Sequence, residues 1–113
     1  MLPDTITRYL AAHTARDADA AIQWFADDAT VTDEGRTHHG ADEIHAWLSN
    51  GATEYTYTAE LIAAHRPDAH TYVATHHLEG DFPGGTVDLD FVFTLDDTDT
   101  TITSLAIAPP GKP

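Results

Sequence analysis
A chain of 113 residues suits one domain around one core, and its 42 % hydrophobic content is enough to fold without covalent staples. There is no cysteine, which rules out disulfides and thiolate chemistry and leaves only His and carboxylate ligands for a zinc-type site. Nineteen acidic residues against five basic ones give a net charge of −14, a surface that repels phosphate backbones and anionic lipid and so disfavours nucleic-acid and membrane partners.

No apolar run approaches the roughly 18 residues of a membrane span. The N-terminus lacks the basic and apolar regions of a signal peptide. The expectation is one cytoplasmic domain over residues 1–113.

In chain order, Asp4 follows Pro3 and precedes Ile6, Tyr9, Leu10 and His13 at helical spacing, placed to cap a first helix. A second helix starts near Asp17, with Ala18, Ala21, Ile22 and Phe25 on one face. Asp27-Asp28 ends it, and Ala29 to Asp33 reads as a short strand. Gly35 to Gly40 is a turn-rich connection. Asp42 and Glu43 then occupy the first turn of a third helix, where carboxylates favour the positive end of the dipole. Ile44, Trp47 and Leu48 form its apolar stripe, and Ser49-Asn50-Gly51 stops it.

Beyond residue 51 the pattern alternates with period two. Tyr55, Tyr57, Ala59 and Leu61 share one face. Tyr72, Ala74, His76 and Leu78 share another, set against Thr71, Val73, Thr75 and His77. After a turn at Pro83-Gly84-Gly85, Val87, Leu89, Phe91 and Phe93 oppose Asp88, Asp90, Val92 and Thr94. Asp96 to Asp99 is a turn, Thr101 to Ala108 a last strand, and Pro109-Pro110-Gly111 a tail. Three helices followed by hairpin-spaced strands predict an α+β fold, with helices on one face of an antiparallel sheet and a pocket between the layers.

Arg8-Tyr9-Leu10, then Asp17, then Phe25-Ala26-Asp27-Asp28-Ala29-Thr30-Val31-Thr32-Asp33 resembles the opening of ketosteroid isomerases and SnoaL-like cyclases, members of the NTF2-like superfamily. His39-Gly40-Ala41-Asp42-Glu43-Ile44 through Trp47 continues the likeness, which covers residues 5–50 in sequence and the rest in architecture alone. The resemblance implies a cone of three N-terminal helices on a curved antiparallel sheet. Asp33 falls where the isomerases keep a proton-shuttling carboxylate, and Tyr9 where they keep a phenol that stabilises an enolate oxygen. Their second carboxyl has no clean counterpart. Phe91 takes its place, with Asp88 and Asp90 turned to the opposite face unless the register slips by one.

Each candidate carries two readings. Asp33 is a pocket base or a strand-end aspartate bonded to a turn. Tyr9 is a hydrogen-bond donor to ligand or a core aromatic, and His76 an acid–base group or a satisfied core histidine. Trp24, Trp47, Tyr55, Tyr57, Tyr72, Leu78, Phe91 and Phe93 line the pocket or simply fill the core. His38-His39 and His76-His77 offer only one ligand per pair to a common site, because strand neighbours point to opposite faces, so no metal is expected. Ser104 has no nucleophile-elbow context, and no glycine-rich phosphate cradle is present.

The expected activity is cofactor-free isomerisation, cyclisation or elimination on a hydrophobic carbonyl compound. The alternatives are a non-catalytic pocket for a small apolar ligand, or a dimerisation module. Thr56, Thr58, Thr71, Thr75 and Thr94 on the outer sheet face suggest a homodimer.

Overall fold
The computed structural model describes residues 2–33, 35–51 and 57–110. Helix α1 (Asp4–Thr14) turns Thr5, Ile6, Tyr9 and Ala12 inward. Its cap position falls on Pro3, whose carbonyl accepts the N–H groups of Ile6 and Thr7. Asp4, expected to cap the helix, lies inside the first turn and makes no capping bond; its charge still favours the dipole there. Helix α2 (Ala18–Ile22) starts near Asp17 as expected, and Asp17 caps it, accepting from the N–H of Ala20 at 3.1 Å.

Phe25 opens strand β1 (Phe25–Asp33) rather than closing α2, and Asp27-Asp28 lies within that strand. Phe25 is buried either way, so its hydrophobicity does not separate the two outcomes. Pairing with Ile102 across a parallel ladder decides it. An irregularity between Phe25 and Thr30 takes up the two exposed aspartates, after which Ala29 and Val31 are buried.

Strand β2 (Arg36–His39) replaces the expected loop and pairs antiparallel with β1 from Thr30↔His39 to Asp33↔Arg36. It is a short, polar sheet edge, so it shows no apolar alternation. Gly40, at φ 87°, donates to Ala29 O and swings the chain into α3 (Ala41–Ala46), in a conformation that glycine takes without steric cost. A π-helical turn over Trp47–Gly51 extends α3 and buries Trp47 and Leu48. Such turns often mark functional positions.

Strand β3 (Tyr57–Asp68) runs well past the predicted stretch. A bulge between Leu61 and Ala63 breaks its alternation, leaving Leu61 48 % and Ile62 51 % exposed, so Leu61 is no core residue. Tyr55 and Thr56 lie outside the described residues. Strands β4 (Thr71–Gly80), β5 (Thr86–Leu95) and β6 (Ile102–Ala108) follow at the places read from the sequence.

The sheet order is β2-β1-β6-β5-β4-β3, antiparallel except for β1–β6. The β4–β5 register is unbroken from Thr71↔Thr94 to Glu79↔Thr86. This puts Phe91 and Phe93 on the core face opposite Ala74 and Tyr72, and Asp88 and Asp90 on the other face opposite His77 and Thr75. No slip brings a second carboxylate inward. The helices pack on the inner face of the curved, unclosed sheet around Ile6, Tyr9, Ile44, Phe93, Ile102 and Leu105.

Candidate functional site
Six elements, α1, the π-helical turn and strands β1, β3, β4 and β5, meet at an aromatic cluster on the inner face. From α1, Tyr9 and His13 lie one helical turn apart and so share a face. The Tyr9 hydroxyl lies 2.9 Å from His13 Nδ1, and His13 Nε2 lies 3.3 Å from the hydroxyl of Tyr57 at the start of β3. From the π-helical turn, the Trp47 indole N–H donates to Asp33 Oδ2 at 3.0 Å. From β5, Phe91 forms the floor, with ring centroids 6.0 Å from His13 and 4.8 Å from His76 on β4.

The chain of hydrogen bonds has a direction that burial sets. Tyr9 is 0 % exposed, and its hydrogen-bond partner among the described residues is His13. A neutral imidazole offers one N–H and one acceptor. If His13 donated to Tyr9, the phenol proton would be left without an acceptor in the core, at a cost of about 1–3 kcal/mol. The satisfied arrangement has Tyr9 donating to Nδ1 and Nε2–H donating to the Tyr57 oxygen. The Tyr57 O–H is then left to donate outward, from a side chain that is only half-buried.

The electrostatics agree with neutral donors. Burial, reinforced by His76 and Arg16, holds the His13 pKa down to about 4, so the ring is uncharged at neutral pH. Burial raises the Tyr9 pKa well above its ordinary value, aided by Tyr57 and by the charge of Asp33. Burial also raises Tyr57, with Asp33 pushing the same way and Arg16 opposing. The His76 pKa is lowered, first by burial and against the pull of the Ala74 carbonyl. His76 is 7 % exposed, and its Nδ1 has no hydrogen-bond partner among the described residues.

The fold therefore brings Asp33, Tyr9, Trp47, Tyr57, Phe91 and His76 to one cluster, with Phe93 stacked behind Phe91 at 6.4 Å and 5.7 Å from Tyr9. Tyr72 is buried on the same strand as His76, under the guanidinium of Arg66 at 5.3 Å. Leu78 is buried further along that strand, between Ala59 and Val87. Trp24 precedes the inward-facing Phe25, is half-buried against the hydrophobic core and lies under Arg8, whose guanidinium carbon is 6.0 Å from its ring centroid. Tyr55 falls outside the described residues.

His13, which the sequence reading treated only as part of a helical stripe, is the hub of the network. Its spacing of four from Tyr9 is the signal that could have found it. No group of three or more His, Asp or Glu side chains able to hold a metal occurs among the described residues. On the outer face, His77 is bonded to Asp88 at 2.6 Å and to Glu79 at 3.0 Å. No helix of the described residues is long and apolar enough to cross a membrane.

A helix-backed, curved, unclosed six-stranded sheet with its polar groups on the inner face is the architecture of the NTF2-like proteins. The model of the SnoaL-like domain family matches residues 6–105, and the chain belongs to that family. A solved structure from Sinorhizobium meliloti, named as a candidate polyketide cyclase, is 34 % identical, with 95 % of each chain covered and a TM-score of 0.85. A Catenulispora acidiphila protein of ketosteroid isomerase-like fold, solved with trimethylamine, is similar at 21 % identity, 96 % of this chain and 86 % of that one, TM-score 0.80. A Mycobacterium tuberculosis protein solved with estradiol-17β-hemisuccinate shares the fold at 15 % identity, 91 % and 88 % coverage, TM-score 0.73. No curated protein matches the sequence.

Proposed function
We propose that the chain is a small-molecule isomerase, cyclase or lyase that acts on a hydrophobic carbonyl compound by general acid–base chemistry, without a cofactor. One observation carries this reading: a carboxylate, Asp33, is held by Trp47 beside a phenol–imidazole–phenol chain over an aromatic floor. The family, and a relative named for polyketide cyclisation, support the class of chemistry. The ligands in the two structures of similar fold support a pocket that takes small molecules.

In the proposed reaction the Asp33 carboxylate removes a proton from the carbon beside the substrate carbonyl. The C–H pair forms the carbon–carbon double bond of an enolate, and the carbonyl π pair moves to oxygen. Tyr57 donates its hydroxyl proton in a hydrogen bond to that oxygen, while neutral His13 donates to the Tyr57 oxygen from behind. Donors fixed before the charge develops are commonly the largest catalytic contribution. The enolate then takes the proton back from Asp33 at the far carbon of a conjugated double bond, attacks a second carbonyl whose oxygen takes that proton, or expels a β-hydroxyl as water with that proton. These are isomerisation, aldol cyclisation and dehydration.

Asp33→Asn tests the base. On a panel of enolisable ring ketones and polyketide-like diketones, kcat is expected to fall by about 10²- to 10⁴-fold, with the melting temperature close to that of the parent protein. An unchanged rate removes Asp33 from the role. Thermal stabilisation by these compounds without turnover, equal in both proteins, makes the pocket a binding site rather than an active site.

A further inference from the structure
Helix α1 ends in a backbone arrangement that ordinarily takes glycine. Ala15 N–H bonds to Ala11 O, Arg16 N–H to His13 O and Asp17 N–H to Ala12 O, each at 3.0 Å, and the residue that closes the turn has φ 59°. That residue is Arg16. Glycine occupies this left-handed conformation without a clash, whereas a side chain with a Cβ is strained there. Non-glycine residues held in such a conformation cluster at functional sites.

The side chain of Arg16 reaches the candidate site. Its guanidinium carbon lies 5.6 Å from the ring centroid of Tyr57, within cation–π range of the phenol whose O–H is left to donate. Tyr57 is surrounded by His13 and Tyr9 from α1 and by Asp33 from β1. With His13 neutral and Asp33 negative, Arg16 supplies the positive charge among these groups. The protein has five basic residues against nineteen acidic ones, and one of those five cations is placed here.

We infer that Arg16 is a positioning residue for Tyr57: its charge strengthens the phenol as a hydrogen-bond donor and biases the site toward ligands that carry or develop negative charge at the Tyr57 hydroxyl. The inference rests on the reading of Tyr57 as the donor to the substrate oxygen. It narrows the substrate class to carbonyl compounds that react through a discrete, negatively charged enolate. The opposing effect of Arg16 on the burial-raised Tyr57 pKa has the sign this requires.

The test uses Arg16→Gly, which suits the backbone, Arg16→Gln, which keeps the strain but loses the charge, and Arg16→Lys, which keeps both. Tyr57 is titrated by ¹⁹F NMR on protein labelled with 3-fluorotyrosine, assigned with Tyr57→Phe, and each variant is melted. The expected result is an upward shift of the Tyr57 titration in the Gly and Gln variants and not in Lys. Arg16→Gly should melt at or above the parent temperature. An unchanged Tyr57 titration in both Gly and Gln overturns the inference, as does a lowered melt in Gly with a parent-like titration. If Arg16→Gly does not fold, the Gln and Lys pair decides alone. None of these readouts needs turnover, so they stand whether or not Asp33 proves to be the base.

Discussion

At the scale of single residues, burial decides which of two tyrosines can donate outward from the cluster. Tyr9 has no solvent exposure and places its proton on His13, whereas Tyr57 receives from His13 and keeps its own proton to donate outward. Tyr57→Phe is therefore expected to lower kcat by about 10²- to 10³-fold, the usual cost of one preorganised oxyanion donor. Tyr9→Phe removes the group that fixes the imidazole tautomer. It should cost about 1 kcal/mol of stability and less rate than Tyr57→Phe. Kinetics of both variants check the direction: a larger rate loss in a well-folded Tyr9→Phe reverses the chain and makes Tyr9 the donor. The residue reading singled out Tyr9 because the family likeness covers α1. His13 carried no comparable mark, since a histidine on a helical stripe has the same pattern whether it packs or relays protons.

At the scale of elements, α2 shows what local signals do and do not supply. Five residues are too few to hold a helix in water alone, and Ala21 is its one fully buried side chain. The Asp17 cap is therefore expected to contribute visibly: Asp17→Ala should cost about 1 kcal/mol, measured as a lower melting temperature. An unchanged melt would show that tertiary contacts alone hold α2. The start of α2 near Asp17 was legible in the sequence because it is set within a few residues, and the structure adds the capping bond itself. The end of α2 was not, because Phe25 completes an apolar helical stripe and equally opens a strand. Strand β2 and the second half of β3 escaped notice for a related reason. Both are sheet edges with largely exposed side chains, so neither needs the alternation by which a strand is recognised. Strands β4 and β5 are flanked on both sides, and their alternation was read correctly.

For the whole molecule, the buried histidines tie stability to pH. His13 has its folded pKa lowered from 6.5 to about 4. Between those values the unfolded chain binds more protons than the folded one, so stability rises with pH across that window and is complete above it. The 2.5-unit difference sets a ceiling of about 3 kcal/mol at full effect. His76, also lowered, acts in the same direction. His77 acts in the opposite one, because Asp88 and Glu79 raise its pKa on the exposed face, and its contribution is lost as pH rises through that raised value. The melting temperature is expected to fall from pH 7 to pH 5, and His13→Gln should flatten the fall. Parallel profiles for the two proteins would show that His13 is not the group responsible.

The α+β class, the family likeness, the inward faces of β4 and β5 and the start of α2 near Asp17 were determined by the sequence itself. Each depends on spacings of a few residues, which the covalent geometry of helix and strand turns directly into direction. Tertiary structure alone decided that Trp47 would hold Asp33 from 14 positions away, and that Tyr57 would close on His13 from 44. It also decided that Trp24 would pack under Arg8 as well as against the core. These pairings arise from how a curved sheet and three helices close on one another, and that closure sums many long-range contacts that no local period records.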